Sequence, residues 1–554
     1  MSKLFDRHHG LLKDALRALE SRGFWSPFPE VPSGKVYGET ARAEGDASFA
    51  AALGAPFDLP GHPESGRLGA EVSPWGPALG ITYPAASPET LIAASRAAAA
   101  PWAAASPETR VGICLEILVR LNRISFLMGN AVMHTTGQAF AMAFQAGGPH
   151  AQDRGLEAVA TAWAEMIRTP KTAIWEKPQG KAAPLVIEKH WRVVPRGVAL
   201  VIGCNTFPTW NSYPGLFASL ATGNPVIVKP HPGAVLPLAI TVRIAREVLA
   251  EAGLPADVVL LAADLAQAPI TADLVRDPAV RIIDYTGSNA FGQWVRDNAA
   301  PGAQVYTEEA GVNSIVIAAS DDFGGMCANI AFSLSLYSGQ MCTSPQDIFV
   351  PRDGIDTDQG RKSLDQVARG IADAVDALLA DPARAAGVCG AIANPATLAR
   401  VDAARAQGRV VRDSAPLAGQ GRSATPLIVA LDEGTAGSAA HEAECFGPVA
   451  FVVPVADARA GIQAAADLAR RKGAITAALY DTDESRILRA ADAFAGAGVN
   501  LSVNLTGNIF VNQSAAFSDY HVTGANPAGN ASLTDTAFVT GRFRVAMWRR
   551  PKAA

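Results

Sequence analysis

Gly197-Val198-Ala199-Leu200-Val201-Ile202, followed by Gly203-Cys204-Asn205-Thr206-Phe207-Pro208, is the stretch on which the fold turns. Five apolar residues between Gly197 and Gly203 read as a strand buried on both faces. The chain beyond repeats the pattern. Residues 213–222 have helical spacing, Pro225-Val226-Ile227-Val228-Lys229 is a second strand, and 236–252 is an apolar-periodic helix ended by Gly253 and Pro255. Val258-Val259-Leu260-Leu261 and Arg281-Ile282-Ile283-Asp284-Tyr285 complete four strands. Strand–helix units of this length predict an α/β fold with a parallel, Rossmann-type sheet that binds ligands at the carboxyl ends of its strands.

A second α/β block is expected from about 313 to 502, with strands at 314–317, 347–350, 450–453 and 475–480. Upstream, residues 3–22 form an amphipathic helix. The Pro- and Gly-rich segment from Phe24 to Pro84 reads as an extended arm wrapped on the body, because Phe24, Trp25, Phe28, Phe57 and Trp75 need burial. An Ala-rich helical region spans roughly 88–166, with breaks expected near Pro101, Pro107 and Gly147. The last stretch, 541–548, alternates polar and apolar residues and reads as an edge strand seeking a partner, from another subunit for instance. The chain thus divides into an N-terminal helix and arm (1–87), a first α/β domain (88–306), a second α/β domain (307–510) and a C-terminal return (511–554).

Composition narrows the function. Among 554 residues the net charge is −5, which gives no electrostatic reason to expect nucleic acid or an anionic membrane. No apolar run approaches the about 18 residues of a membrane span, and the charged N-terminus is no signal peptide. Six scattered cysteines without a CxxC pair argue against a disulfide framework or a zinc site and suit a reducing cytoplasm.

Several segments carry chemistry. Cys342, in Ser338-Gly339-Gln340-Met341-Cys342-Thr343-Ser344, is a thiol among small residues that can reach a carbonyl; a buried inert cysteine is the plain alternative. Glu308 lies 34 residues upstream in Thr307-Glu308-Glu309-Ala310-Gly311, at the seam of the two α/β blocks, where it could serve as a base. Thr286-Gly287-Ser288 follows a strand and opens a helix, so Ser288 either caps the helix or donates to a phosphate. Lys229 ends a strand and could meet ribose hydroxyls or remain a solvated strand-end lysine. Glu444, in Glu444-Cys445-Phe446-Gly447-Pro448, could accept from ribose, with Phe446 packing near a nicotinamide, or be a surface residue before a turn. Asn205 could donate to an oxyanion or simply shape a turn.

In this order and spacing the segments resemble the aldehyde dehydrogenase superfamily from about Pro88 onward. The resemblance implies Cys342 as nucleophile, Glu308 rather than Glu309 as general base, and NAD or NADP held by Lys229, Gly287, Ser288, Glu444 and Phe446. It implies a small aldehyde as substrate and assembly as a homo-oligomer, a dimer or a tetramer. It also implies nucleotide binding for the first domain (88–306), with an oligomerisation flap near 170–192, catalysis for the second (307–510), and an oligomerisation strand in the return (511–554). Two departures stand out. Thr206 occupies the usual oxyanion-asparagine place directly before Phe207-Pro208, so Asn205 is the expected donor and Thr206 the alternative. Pro232, three residues beyond Lys229, replaces a glutamate found in many NAD-specific members, and with His231 beside it NADP should also be accepted. The long arm, the block 204–211 and Ser502-Val503-Asn504-Leu505 are most similar to members acting in aerobic phenylacetate degradation, which implies a semialdehyde substrate, one carried on coenzyme A for example. A CoA-acylating member and a non-catalytic member retaining the fold are the competing readings. Trp210, Tyr213, Phe332, Tyr337 and Phe517 either line a substrate tunnel or belong to the core.

Overall fold

The computed structural model describes residues 2–419, 421–432 and 441–552. Five parallel strands form the first sheet, in the order Val259–Leu261, Val226–Lys229, Val198–Ile202, Val280–Thr286 and Gln304–Glu308. The first four coincide with the expected strands. The fifth, Gln-Val-Tyr-Thr-Glu, was not anticipated because it is short, begins polar and lacks a continuous apolar run.

The second sheet has seven strands: Arg409–Arg412, Leu427–Ala430, Val449–Val455, Pro345–Pro351, Asn313–Ile317, Thr476–Tyr480 and Asn500–Val503. All neighbours are parallel except the first pair, which is antiparallel. The four central strands carry the expected positions. The remaining three lie towards the two ends of the sheet.

The Ala-rich region folds as five helices, Pro88–Ala104, Pro107–Arg123, Ser125–Thr136, Phe140–Gly147 and Pro149–Ile167. Two Ser-Pro-Glu-Thr segments start helices in the same way. Ser87 Oγ accepts from Thr90 N (3.3 Å) and Ser106 Oγ from Thr109 N (3.2 Å), each with proline just inside. The expected break at Pro101 does not occur. Pro101 lies in the last turn of Pro88–Ala104, where only one helical hydrogen bond is forgone.

The N-terminal arm also differs from its expected extended form, for it contains the helix Ala41–Ala52. Gly45 of that helix seats directly on Phe126, where a Cβ would come within 2.5 Å of the Phe126 side chain. Phe28 and Phe57 are buried, whereas Phe24 is 86% exposed and anchors nothing. A firmer anchor is Glu71, which accepts from Val235 N (2.6 Å) and Leu236 N (3.1 Å) at the start of helix Leu236–Glu251.

The terminal strand Phe543–Pro551 has its partner within the same chain. It pairs antiparallel with Ala182–Pro195, which pairs in turn with Thr172–Gln179. Local alternation could not reveal a partner some 350 residues away. The return is locked by Arg542, fully buried, whose guanidinium donates to both oxygens of Asp284 (2.8 and 2.5 Å) and to Ser219 Oγ (2.8 Å). Among the described residues no helix is long and apolar enough to cross a membrane.

Candidate active site

The carboxyl ends of the first sheet face a cavity of about 550 Å³, lined among others by Asn205, Thr206, His231, Gly287, Ser288, Glu308, Cys342, Glu444 and Phe446. Seven of the eight residues singled out from the sequence thus border one space. Lys229 is the eighth and lies outside the lining. Its ammonium is buried against Asp264 (2.8 Å) and donates to Pro230 O (2.6 Å).

Cys342 sits on a tightly specified loop. Tyr337 and Ser338 adopt left-handed backbone conformations (φ 52° and 49°), uncommon for non-glycine residues, and the surroundings impose them. Ser338 Oγ donates to Cys389 O (3.0 Å) or Ala424 O (2.8 Å), and Gln340 spans Tyr337 O and Ala391 O. Gly339 (φ +64°) must be glycine, since a Cβ would lie 2.3 Å from Gly447 O. That close approach brings the cysteine loop against the loop bearing Glu444 and Phe446. Asn313 fixes the other side, donating to Cys342 O (2.8 Å) and Ser344 O (3.0 Å) while accepting from Ile475 N and Thr476 N.

Glu308 ends its strand with the carboxylate buried beside Cys342. Burial alone would raise its pKa. His521 outweighs that, helped by Cys342 and Asn211, and the net pKa falls below the ordinary value. His521 Nε2 is 3.1 Å from Glu308 Oε1 and 3.6 Å from Cys342 Sγ, so one ring nitrogen touches both groups. Asn211 Nδ2 donates to Glu308 Oε2 (3.1 Å). Its orientation is set by Cys204, whose thiol donates to Asn211 Oδ1 (3.6 Å). The Cys342 thiol is pushed well above its ordinary pKa by burial, then by the adjacent Glu308 carboxylate. In the resting site it is a thiol and needs a proton acceptor.

Neither His521 nor Asn211 was found from the sequence. His521 comes from the C-terminal return, which crosses Glu308 through pairing of Glu308 with Gly529 and a hydrogen bond from Glu309 N to Ala528 O (2.7 Å). Asn211 stands on the first turn of helix Pro208–Ala221, which starts five residues earlier than its periodicity suggested. The Asn205 amide oxygen packs on Gly233, where a Cβ would come within 3.0 Å. Thr206 O accepts from Gln138 Nε2 (2.8 Å). Ser288 caps helix Asn289–Asn298, accepting from Phe291 N (3.4 Å). Burial raises the Glu444 carboxyl to about 7 against the backbone N–H of Gly311 and the charge of Arg400. Desolvation and nearby Lys229 hold the His231 imidazole down at about 4. The five candidate tunnel aromatics serve mainly as packing. Tyr213, Tyr337 and Phe517 are wholly buried, Phe332 stacks on Phe510, and Trp210 packs edge-on against His521 at 4.5 Å.

The sequence model of the aldehyde dehydrogenase family matches residues 71–529. The chain belongs to the aldehyde dehydrogenase family. A crystal structure of an NAD-dependent aldehyde dehydrogenase from Burkholderia multivorans is 55% identical, covers 100% of this chain and 99% of its own, and superposes with a TM-score of 0.97. The structure of the R100A mutant of Thermus thermophilus 1-pyrroline-5-carboxylate dehydrogenase shares the fold at 18% identity, with a TM-score of 0.73 over 96% of this chain and 99% of its own. Among sequence relatives, N-succinylglutamate 5-semialdehyde dehydrogenase of Burkholderia multivorans is 26% identical over 70% of this chain and 76% of its own length. Aldehyde dehydrogenase LUC3 of a Fusarium species is 31% identical over 26% of this chain, and that match spans 31% of the Fusarium protein.

Proposed function

We propose that this protein oxidises a small aldehyde to its carboxylic acid with NAD, through a covalent thioester on Cys342. The observation that carries this reading is the contact of the Cys342 thiol and the depressed-pKa Glu308 carboxylate, both on the cavity wall, with the buried His521 imidazole that touches each. The groove fits a dinucleotide. A helix N-terminus opens at Ser288, Gly287 adds no side chain to the turn, and the Glu444 carboxyl on the same lining is the acceptor we assign to ribose hydroxyls. When bound, the dinucleotide supplies the hydride acceptor that converts the thiohemiacetal into a thioester.

The residues divide the remaining work. The Cys342 S–H proton is lost to solvent in the cavity that Cys342 lines, since His521 Nε2–H is already committed to Glu308, and the thiolate sulfur bonds to the aldehyde carbon. The oxyanion is held by the Cys342 backbone N–H and by the side-chain amide of Asn205 on the cavity lining; Thr206 is the alternative donor. Glu308, ionised and held by Asn211, then removes a proton from water. The resulting hydroxide attacks the thioester, the C–S bond breaks, and the acid leaves. A buried base beside the sulfur favours hydrolysis over transfer to an external thiol.

The 55% identity to an NAD-dependent enzyme supports NAD. For the substrate, we favour a semialdehyde of aerobic phenylacetate degradation, in line with the resemblance of the long arm and of residues 204–211. The flap strands and Phe543–Pro551 leave Trp175, Leu185, Met547 and Trp548 exposed, which supports assembly into a homo-oligomer. Six free cysteines suit the cytoplasm. Measuring kcat/KM for aliphatic, aromatic and CoA-linked semialdehydes with NAD and NADP tests the reading. Cofactor reduction with none of them would refute it.

A further inference from the structure

We propose that Cys342, His521 and Glu308 also form a Zn²⁺ site whose occupation reversibly blocks the enzyme. Cys342 Sγ, His521 Nε2 and a Glu308 carboxylate oxygen lie within 4.8 Å of one another. A tetrahedral zinc with Zn–S of about 2.3 Å and Zn–N or Zn–O of about 2.0–2.1 Å places its ligand atoms roughly 3.4–3.6 Å apart. The sulfur–nitrogen separation here is 3.6 Å and the nitrogen–oxygen separation 3.1 Å, so small side-chain shifts open the site to the metal.

The donor set fits this ion. Thiolate, imidazole and carboxylate are the three ligand types zinc takes, and hard cations such as Mg²⁺ or Ca²⁺ do not favour sulfur. Two buried anions facing one dication leave no net charge in the pocket. His521 is 3% exposed on its side chain, and its Nδ1 makes no hydrogen bond within the chain. In the metal-free site Nε2–H donates to Glu308; zinc binding shifts the ring proton to the unoccupied Nδ1, so that Nε2 ligates. Asn211 already holds Glu308 Oε2, leaving Oε1 turned to the metal position, and such hydrogen bonds orient ligating carboxylates. Three protein ligands leave a fourth position for water from the adjoining cavity.

Binding replaces the Cys342 S–H bond with a sulfur–zinc bond and releases the proton to solvent, with no change of oxidation state. The sulfur lone pair needed for the aldehyde and the oxygen needed for water are then both taken. A chelator restores them.

The test titrates the full-length protein with Co²⁺ and then Zn²⁺. One Co²⁺ per chain with a thiolate-to-metal charge-transfer absorption, displaced by Zn²⁺, is expected. Zinc should slow iodoacetamide labelling of Cys342 at least ~10-fold, with EDTA restoring the rate. His521→Ala should weaken zinc binding by about 10-fold or more, as loss of groups that merely support a ligand already costs 10–100-fold. A cobalt complex without the thiolate band, or unchanged labelling of Cys342 with zinc bound, would overturn the proposal. So would a folded His521→Ala variant binding zinc like the parent. If that variant fails to fold, the spectrum and the labelling of the unmodified protein decide. Cofactor reduction is assayed separately, so absent turnover with an intact zinc site would count only against the dehydrogenase reading.

Discussion

Replacing His521 by alanine should move the acid limb of the rate–pH profile, and the direction of the move and the energy behind it follow from the site. Glu308 has 4% of its side chain exposed, and burial on that scale raises a carboxyl pKa. It is nonetheless depressed, because His521 lies 3.1 Å from one oxygen and Asn211 3.1 Å from the other. Losing the His521 contact should therefore remove about 1.5–3 kcal/mol of support from the ionised carboxylate, the usual contribution of a hydrogen bond to a charged group, and raise the Glu308 pKa. The sign is fixed by the role. A base works when ionised, so its activity falls as pH drops through its pKa, and a higher pKa shifts that fall towards neutrality. The assay is kcat against pH, followed by absorbance of the reduced cofactor at saturating aldehyde, for the parent and for His521→Ala. Superimposable acid limbs would refute the coupling between His521 and Glu308.

Asn211→Asp would face Glu308 with a second carboxylate and should shift the same limb upward, whereas Asn211→Ala should shift it less; equal effects would argue against a charge mechanism. Glu444 is uncharged below about 7 and ionised above it, so the KM for NAD should fall as pH rises through that value, and Glu444→Gln should abolish the dependence. Arg542→Ala leaves Asp284 buried without its partner and should cost about 3–5 kcal/mol, read as a lowered melting temperature with the Phe543–Pro551 strand exchanging its amide protons faster.

Much of this site could be read from the chain because it rests on local signals. Val198–Ile202 and Val226–Val228 are unbroken apolar runs, and Gly339 and Gly287 mark turns where a backbone comes close to something else. His521 and Asn211 carry no such signal. His521 matters because a return segment brings residue 521 onto residue 308, and Asn211 because its helix begins ahead of the periodic run; a lone histidine near a chain end is ordinary in sequence. The same reason hid the partner of Phe543–Pro551. Phe24 failed for the opposite cause, since apolarity alone does not oblige a residue to find a core.

The most direct measurement is the pre-steady-state time course of Glu308→Gln with aldehyde and NAD, combined with the intact mass of the quenched protein. The account predicts about one equivalent of reduced cofactor per active chain in a rapid burst, then a stalled steady state with an acyl group retained on Cys342. A steady-state rate equal to the parent's, or a burst with no acyl group on Cys342, would contradict it.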